Sequence, residues 1–98
     1  MTWVSELIRE KIYLALRKEV PYTTHVEITE IEEKPDILLI KAVIFTNDKK
    51  YKKMIIGARG RAIKEIGIAA RKELETAINK KIYLELEVET DKHWEDRI

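Results

Sequence analysis

Residues 52–67 read KKMIIGARGRAIKEIG and contain all three glycines of the chain, Gly57, Gly60 and Gly67, among closely spaced lysines and arginines. Glycine in a helix interior costs about 1 kcal/mol relative to alanine. Gly57-Ala58-Arg59-Gly60 is therefore read as a G-x-x-G turn between a short helix and a long one. Glycines let the backbone bend sharply and let another chain come close, because no Cβ stands in the way. The turn precedes a helix N-terminus, where free N–H groups and the helix dipole favour an anion. Arg59 and Arg61 add positive charge at the same point. The chemistry these residues suit is non-covalent capture of phosphate groups, as along a phosphodiester backbone.

Charge along the chain is sorted. Lys49, Lys50, Lys52, Lys53, Arg59, Arg61 and Lys64 form a run of seven basic residues with no acid among them. The other residues carry 12 basic and 18 acidic groups, so a net charge of +1 hides a local excess of each sign. Alone, such a run reads equally well as a solvated helix face; the glycines inside it favour a binding role. Lys49 and Lys50, nearest its start, also suit plain loop charges.

Other chemistry finds little support. The 14 glutamates fall on expected strand and helix surfaces, and His25 and His93 have no metal-site spacing. No G-x-S-x-G or H-E-x-x-H is present. The chain is not expected to be an enzyme, and neither a cofactor nor a metal is expected. Without cysteine, disulfides and thiolate metal sites are excluded. The longest apolar run, Ile37 to Ile40, is far shorter than the roughly 20 residues a bilayer span requires. A cytoplasmic location is the natural expectation. Abundant Ile, Lys and Glu, a single Ser and no Gln suit both a thermophile and a redesigned sequence.

The elements that must position the turn follow from periodicity. Val4, Leu7, Ile8, Ile12, Ala15 and Leu16 repeat at helical spacing, and Pro21 stops that helix. HVEITEIEE reads as a strand whose alternation slips at Ile31, the mark of a bulge. Lys34-Pro35-Asp36 is a turn. ILLIKAVIF is apolar on nearly both faces, as for a strand covered on one side and partly on the other. Thr46-Asn47-Asp48 breaks the strand and offers a cap to the next helix. After the glycines, Ile63, Ile66, Ala70, Leu74 and Ile78 define a long helix ending near Asn79. IYLELEVET then alternates with Ile82, Leu84, Leu86 and Val88 inward. The order α-β-β-α-α-β implies a two-layer α+β domain with a three-stranded mixed sheet against helices. One domain over 1–98 is expected, with its core at about 5–90 and a polar tail at 91–98. Trp3 and Trp94 are expected to cap the core, while Tyr22 and Tyr51 are candidate stacking platforms.

Taken together, LIREKIYLALRKEVPY, KKMIIGARGRAIKEIGIAARKELE and IYLELEVE resemble the C-terminal domain of the Era family of GTPases. That domain is a type II KH fold, in which a G-x-x-G loop clamps about four nucleotides. The likeness runs from about Ser5 to Trp94. It implies a single-stranded RNA partner, by family the 3′ end of small-subunit ribosomal RNA. It also implies that the backbone of Gly57, Ala58, Arg59 and Gly60 faces the sugar-phosphate chain. Ile56, Ile63 and Ile66 would floor a groove for bases, with a plain core role as the alternative. Lys53, Arg61 and Lys64 would meet phosphates. Gly67 is expected to serve helix packing.

The sequence departs from the family in three respects. No G-x-x-x-x-G-K-[ST] occurs, so binding of GTP by that route is excluded for this chain. Glu87 stands where the family usually has an aromatic, and Glu89 where a basic residue is common. The chain ends at Ile98, before the family's short C-terminal extension. The alternative to RNA binding is thus a stabilised or redesigned KH scaffold that folds and has lost its ligand. A protein–protein module using the same groove is a third reading. A monomer is the expected state.

Overall fold

The computed structural model describes residues 2–16 and 24–91. Its elements follow the order α1 (Thr2–Leu16), β1 (Thr24–Glu33), β2 (Ile37–Thr46), α2 (Lys49–Ile56), a single 3₁₀ turn (Ala58–Gly60), α3 (Arg61–Ile78) and β3 (Lys81–Thr90). This is the α+β architecture expected from periodicity. Pro21, Tyr22, His93, Trp94 and the polar tail from residue 92 lie outside the described residues.

The sheet has the order β1-β2-β3, with β2 antiparallel to β1 and parallel to β3. The β1–β2 turn is closed by the Lys34 N–H donating to the Ile37 carbonyl at 2.9 Å. Register shifts between Ile28 and Glu30. The bulge explains the slipped alternation: Val26 and Ile28 lie opposite Ile44 and Ala42, and the extra residue restores Ile31 to the row of Ile40. Ile31 nevertheless remains 40% exposed. A parallel β2–β3 pair needs a crossover, and α2, the loop and α3 supply it.

One sheet face carries the core. Leu38, Ile40, Ala42 and Ile44 of β2 meet Val4, Leu7, Ile8 and Ile12 of α1, Ile55 of α2, and Ile66, Ala70 and Leu74 of α3, all buried. Ala15, expected to point inward, is exposed. Trp3 is also a correction: at 48% exposure it stands on the surface of α1 instead of capping the core. The other sheet face has β2 residues Leu39, Lys41, Val43 and Phe45 in its centre; Lys41 and Val43 have a glutamate on each side in register, while Leu39 lies between Glu32 and Tyr83 and Phe45 between His25 and Glu89. Val43 and Phe45 are buried there as a separate small cluster, which fits a central strand covered partly on its second side.

Candidate nucleic-acid interface

Asp48 starts α2, its carboxylate accepting the Lys50 N–H at 2.8 Å, so the break after β2 does cap the helix. Gly57 ends α2 with φ 77° and ψ 172°, its N–H donating to the Lys53 carbonyl at 2.8 Å. A Cβ on Gly57 would lie 2.7 Å from Ala62 Cβ and 2.8 Å from Ala62 N, distances that real side chains do not tolerate. Arg59 (φ 57°) and Gly60 (φ 73°) both adopt left-handed backbone, and the Gly60 N–H closes the turn onto the Gly57 carbonyl at 3.1 Å. The two glycines are therefore needed for different reasons. Gly57 is demanded by sterics and by its dihedral. Gly60 has nothing within 4 Å of its missing Cβ, and only the dihedral requires it.

Arg59 is a non-glycine residue in left-handed backbone, which costs roughly 1–2 kcal/mol. Its side chain and that of Ala58 are exposed at the tip. Gly60 occupies the N-cap of α3 and offers no side-chain acceptor, so no side chain caps that helix; the Arg61 N–H donates to the Ala58 carbonyl. Such a terminus is suited to hold an anion.

The basic run surrounds this terminus. Lys49, Lys50, Lys53, Arg59, Arg61 and Lys64 are exposed and Lys52 is half-buried. Among the described residues the ion-paired lysines are Lys11, Lys34 and Lys80, and no member of the run is among them. Lys50 instead lies 5.9 Å from the Tyr51 ring centroid. Tyr51 is half-buried against the core, a position unlike an open stacking platform.

Two openings lie along β3, one against each helix that the loop connects. The first, about 320 Å³, runs between α3 and β3 and is lined by Ile63, Lys64, Gly67, Ile68, Arg71, Leu84 and Leu86. The second, about 510 Å³, lies between α2 and the end of β3; Ile56 and Lys53 line it with Lys49, Lys52, Glu89 and Thr90. Both volumes fall in the range of ordinary ligand sites.

Of the residues expected at the site, Gly57, Ala58, Arg59 and Gly60 form the loop, and Arg61 opens α3 beside it. Ile63 and Lys64 line the first opening, Ile56 and Lys53 the second. Ile66 takes the core alternative: it is 1% exposed, because three residues fall short of a full helical turn and rotate it off the line of Ile63 toward the sheet. Leu84 and Leu86, expected inward, are only partly buried and form the strand wall of the groove. Gly67 is also a groove residue: a Cβ there would touch Leu86 Cδ1 at 3.7 Å. Ile68 and Arg71 escaped sequence reasoning; the lone glycine beside them, expected to serve helix packing, was their one signal.

The family model for the KH domain matches residues 19–95. The chain belongs to the KH domain family. It is 43% identical over 95 residues to the GTPase Era of Halothermothrix orenii, covering 96% of this chain and 32% of that protein. The GTPase Era of Thermotoga petrophila is 42% identical over 94 residues, covering 95% and 31%. In three dimensions the chain is similar to the crystal structure of an Aquifex aeolicus Era variant bound to GDP and AlF4−, with TM-score 0.90, 39% identity and coverage of 97% and 33%. It is also similar to Era in complex with MgGDPNP and nucleotides 1506–1542 of 16S ribosomal RNA, with TM-score 0.89, 39% identity and coverage of 96% and 32%. The chain spans about a third of the length of these relatives, the part similar to their C-terminal KH domain.

Within the KH frame the two unusual acids share a face: Glu87 and Glu89 are exposed opposite Val43 and Phe45, in the row of the outer sheet face, and Glu89 also borders the opening beside α2. Among the described residues no helix is long and apolar enough to cross a membrane.

Proposed function

We propose that this KH domain binds single-stranded RNA through the Gly57–Gly60 loop and the two openings beside it. The loop's left-handed backbone at Arg59 and Gly60, set before an uncapped α3 N-terminus, carries the reading. No side chain caps the first turn of α3, which leaves that position open to a phosphate, and among the described residues the surrounding cations form no ion pair. Backbone N–H groups at the loop hold the sugar-phosphate chain, and Lys53, Arg61 and Lys64 neutralise adjacent phosphates. Ile56 and Ile63 give apolar surface on which bases lie. Era, whose KH domain this chain resembles, has been seen with a 16S ribosomal RNA fragment, and small-subunit ribosomal RNA is the proposed natural partner. No step of this binding calls for GTP, a metal or another cofactor, and one chain suffices.

Fluorescence anisotropy with a short labelled single strand containing adenine and cytosine tests the reading. The parent is compared at two salt concentrations with an Ala58→Asp/Arg59→Asp double variant. Both side chains are exposed, and aspartate tolerates left-handed backbone better than most residues, so circular dichroism should show the fold intact. The expected result is salt-sensitive binding by the parent and none by the variant. No binding by the parent at low salt, or equal binding by both proteins, rejects the reading and leaves a KH-shaped scaffold without the KH function.

A further inference from the structure

Strand alternation puts every second residue of the sheet on the face turned away from the helices. Between Leu39 and Phe45, β2 gives that outer face a single cation, Lys41. Its register partners supply six glutamates: Glu27, Glu30 and Glu32 on the β1 side, and Glu85, Glu87 and Glu89 on the β3 side. Glu85 is half-buried and the others are exposed. Glu32 meets Lys34 at 3.9 Å, whereas Glu30, Glu85, Glu87 and Glu89 form no ion pair among the described residues. Carboxylates two residues apart on one face of a strand stand roughly 7 Å from each other. That is inside the Debye length of about 10 Å at 0.1 M salt, so they repel one another. One lysine cannot offset them. Apolar surface is also offered, since Tyr83 is 51% exposed beside the half-buried Leu39.

The molecule carries a complement to this face. From Lys49 to Lys64 the α2–loop–α3 edge holds seven basic residues and no acid. None of them forms an ion pair among the described residues. We propose that copies of this chain associate head to tail, the cationic α2–loop–α3 edge of one copy seated on the outer sheet face of the next. Charge complementarity selects the occupant: the face repels nucleic acid and attracts a cationic surface, and the edge is the longest basic run in the chain. The two surfaces differ, so the contact is heterologous and does not close as a two-fold dimer does. RNA calls on the same cations and therefore releases single chains. The contact itself does not rest on the RNA-binding reading; only its release by RNA does.

Sedimentation velocity over a range of protein concentrations, at low and at high salt, tests the contact. The parent should associate at low salt, its average mass rising with concentration, and separate into single chains at high salt. Glu30→Lys/Glu87→Lys reverses the face at exposed positions, and Lys53→Glu/Lys64→Glu reverses the edge. Each double variant should associate more weakly by on the order of tenfold. The quadruple variant that joins them keeps the parent's net charge, and its reversed edge meets a reversed face, so association should return. Circular dichroism checks folding, and Glu30→Gln/Glu87→Gln carries the same test with a smaller effect where the lysines disturb the strands. A parent that stays as single chains at low salt overturns the proposal and leaves the face to solvent or to another cationic partner. Double variants that associate as the parent does, or a folded quadruple variant that stays apart, overturn it as well. Anisotropy with the single strand used above keeps the two readings separate. A strand that binds and leaves the association intact places the contact away from the edge and overturns the proposal; a strand that never binds rejects the RNA-binding reading alone.

Discussion

Lysines do two different jobs in this molecule, and the contrast lies in their surroundings. Lys11 on α1 meets Glu73 on α3 at 2.7 Å and is largely covered; Lys80 meets Glu33 at 3.1 Å across the other end of the sheet. These cations tie elements together. Those of the α2–loop–α3 edge, all exposed except the half-buried Lys52, form no ion pair among the described residues. A paired lysine must break its internal bond before it can meet a phosphate, whereas an unpaired one gives up only water. Exposed pairs contribute little to stability, typically about 0–1 kcal/mol. Leaving the loop edge unpaired therefore costs the fold almost nothing and keeps its charge free for a ligand.

The same division between holding the fold and meeting a ligand separates two isoleucines three residues apart. Ile66→Ala should destabilise by roughly 2–5 kcal/mol, because it opens a cavity in the core. Ile63→Ala, at the groove, should cost clearly less stability and appear as weaker RNA binding; urea melts beside anisotropy titrations would show the split. Equal stability losses for the two would erase the distinction.

The loop glycines allow a finer version. Gly57→Ala meets the Ala62 backbone and should lose on the order of 3 kcal/mol. Gly60→Ala meets open space and should lose about 1–2 kcal/mol, the strain of the dihedral alone. Denaturant midpoints for both variants decide it, and a Gly60 variant at least as damaged as the Gly57 one would contradict the assignment.

Removing one loop cation, as in Lys64→Gln, should reduce the slope of log affinity against log salt by about 0.7, the value for one phosphate contact on a single strand. Lys11→Gln should leave that slope unchanged. Lys11 bears on stability instead, and by the smallest amount. Its pKa is raised above the ordinary lysine value of 10.5, chiefly by the hydrogen bond to Glu73. The contribution is thus complete below the unfolded lysine's pKa and is lost as pH climbs through the raised folded value. Thermal melts should show Lys11→Gln costing less than about 1 kcal/mol at neutral pH, with the gap to the parent closing at strongly alkaline pH.

Much of this was present in the order of residues. Period-3.6 and period-2 patterns gave α1, α3 and the three strands, since each pattern suits only one way of burying an apolar face. The slip at Ile31 marked a bulge, because adding one residue to a strand reverses the facing of all that follow. Gly57 and Gly60 marked the loop, because left-handed backbone has few tenants, and the unbroken basic run marked the unpaired cations around it. Periodicity could not tell the core from the groove. Ile66 and Ile63, or Ile82 and Leu84, are equivalent to a pattern that records only which residues are apolar. Which of them water or a ligand reaches depends on how far α3 stands from β3, and that spacing is fixed by side chains distant in sequence. The alternation of β3 already placed Glu87 and Glu89 outward, but tertiary structure alone brought the end of β3 beside the lysines of α2 and paired Lys11 with a carboxylate 62 residues away. Those are contacts across the chain, set by packing, and no local run of residues encodes them.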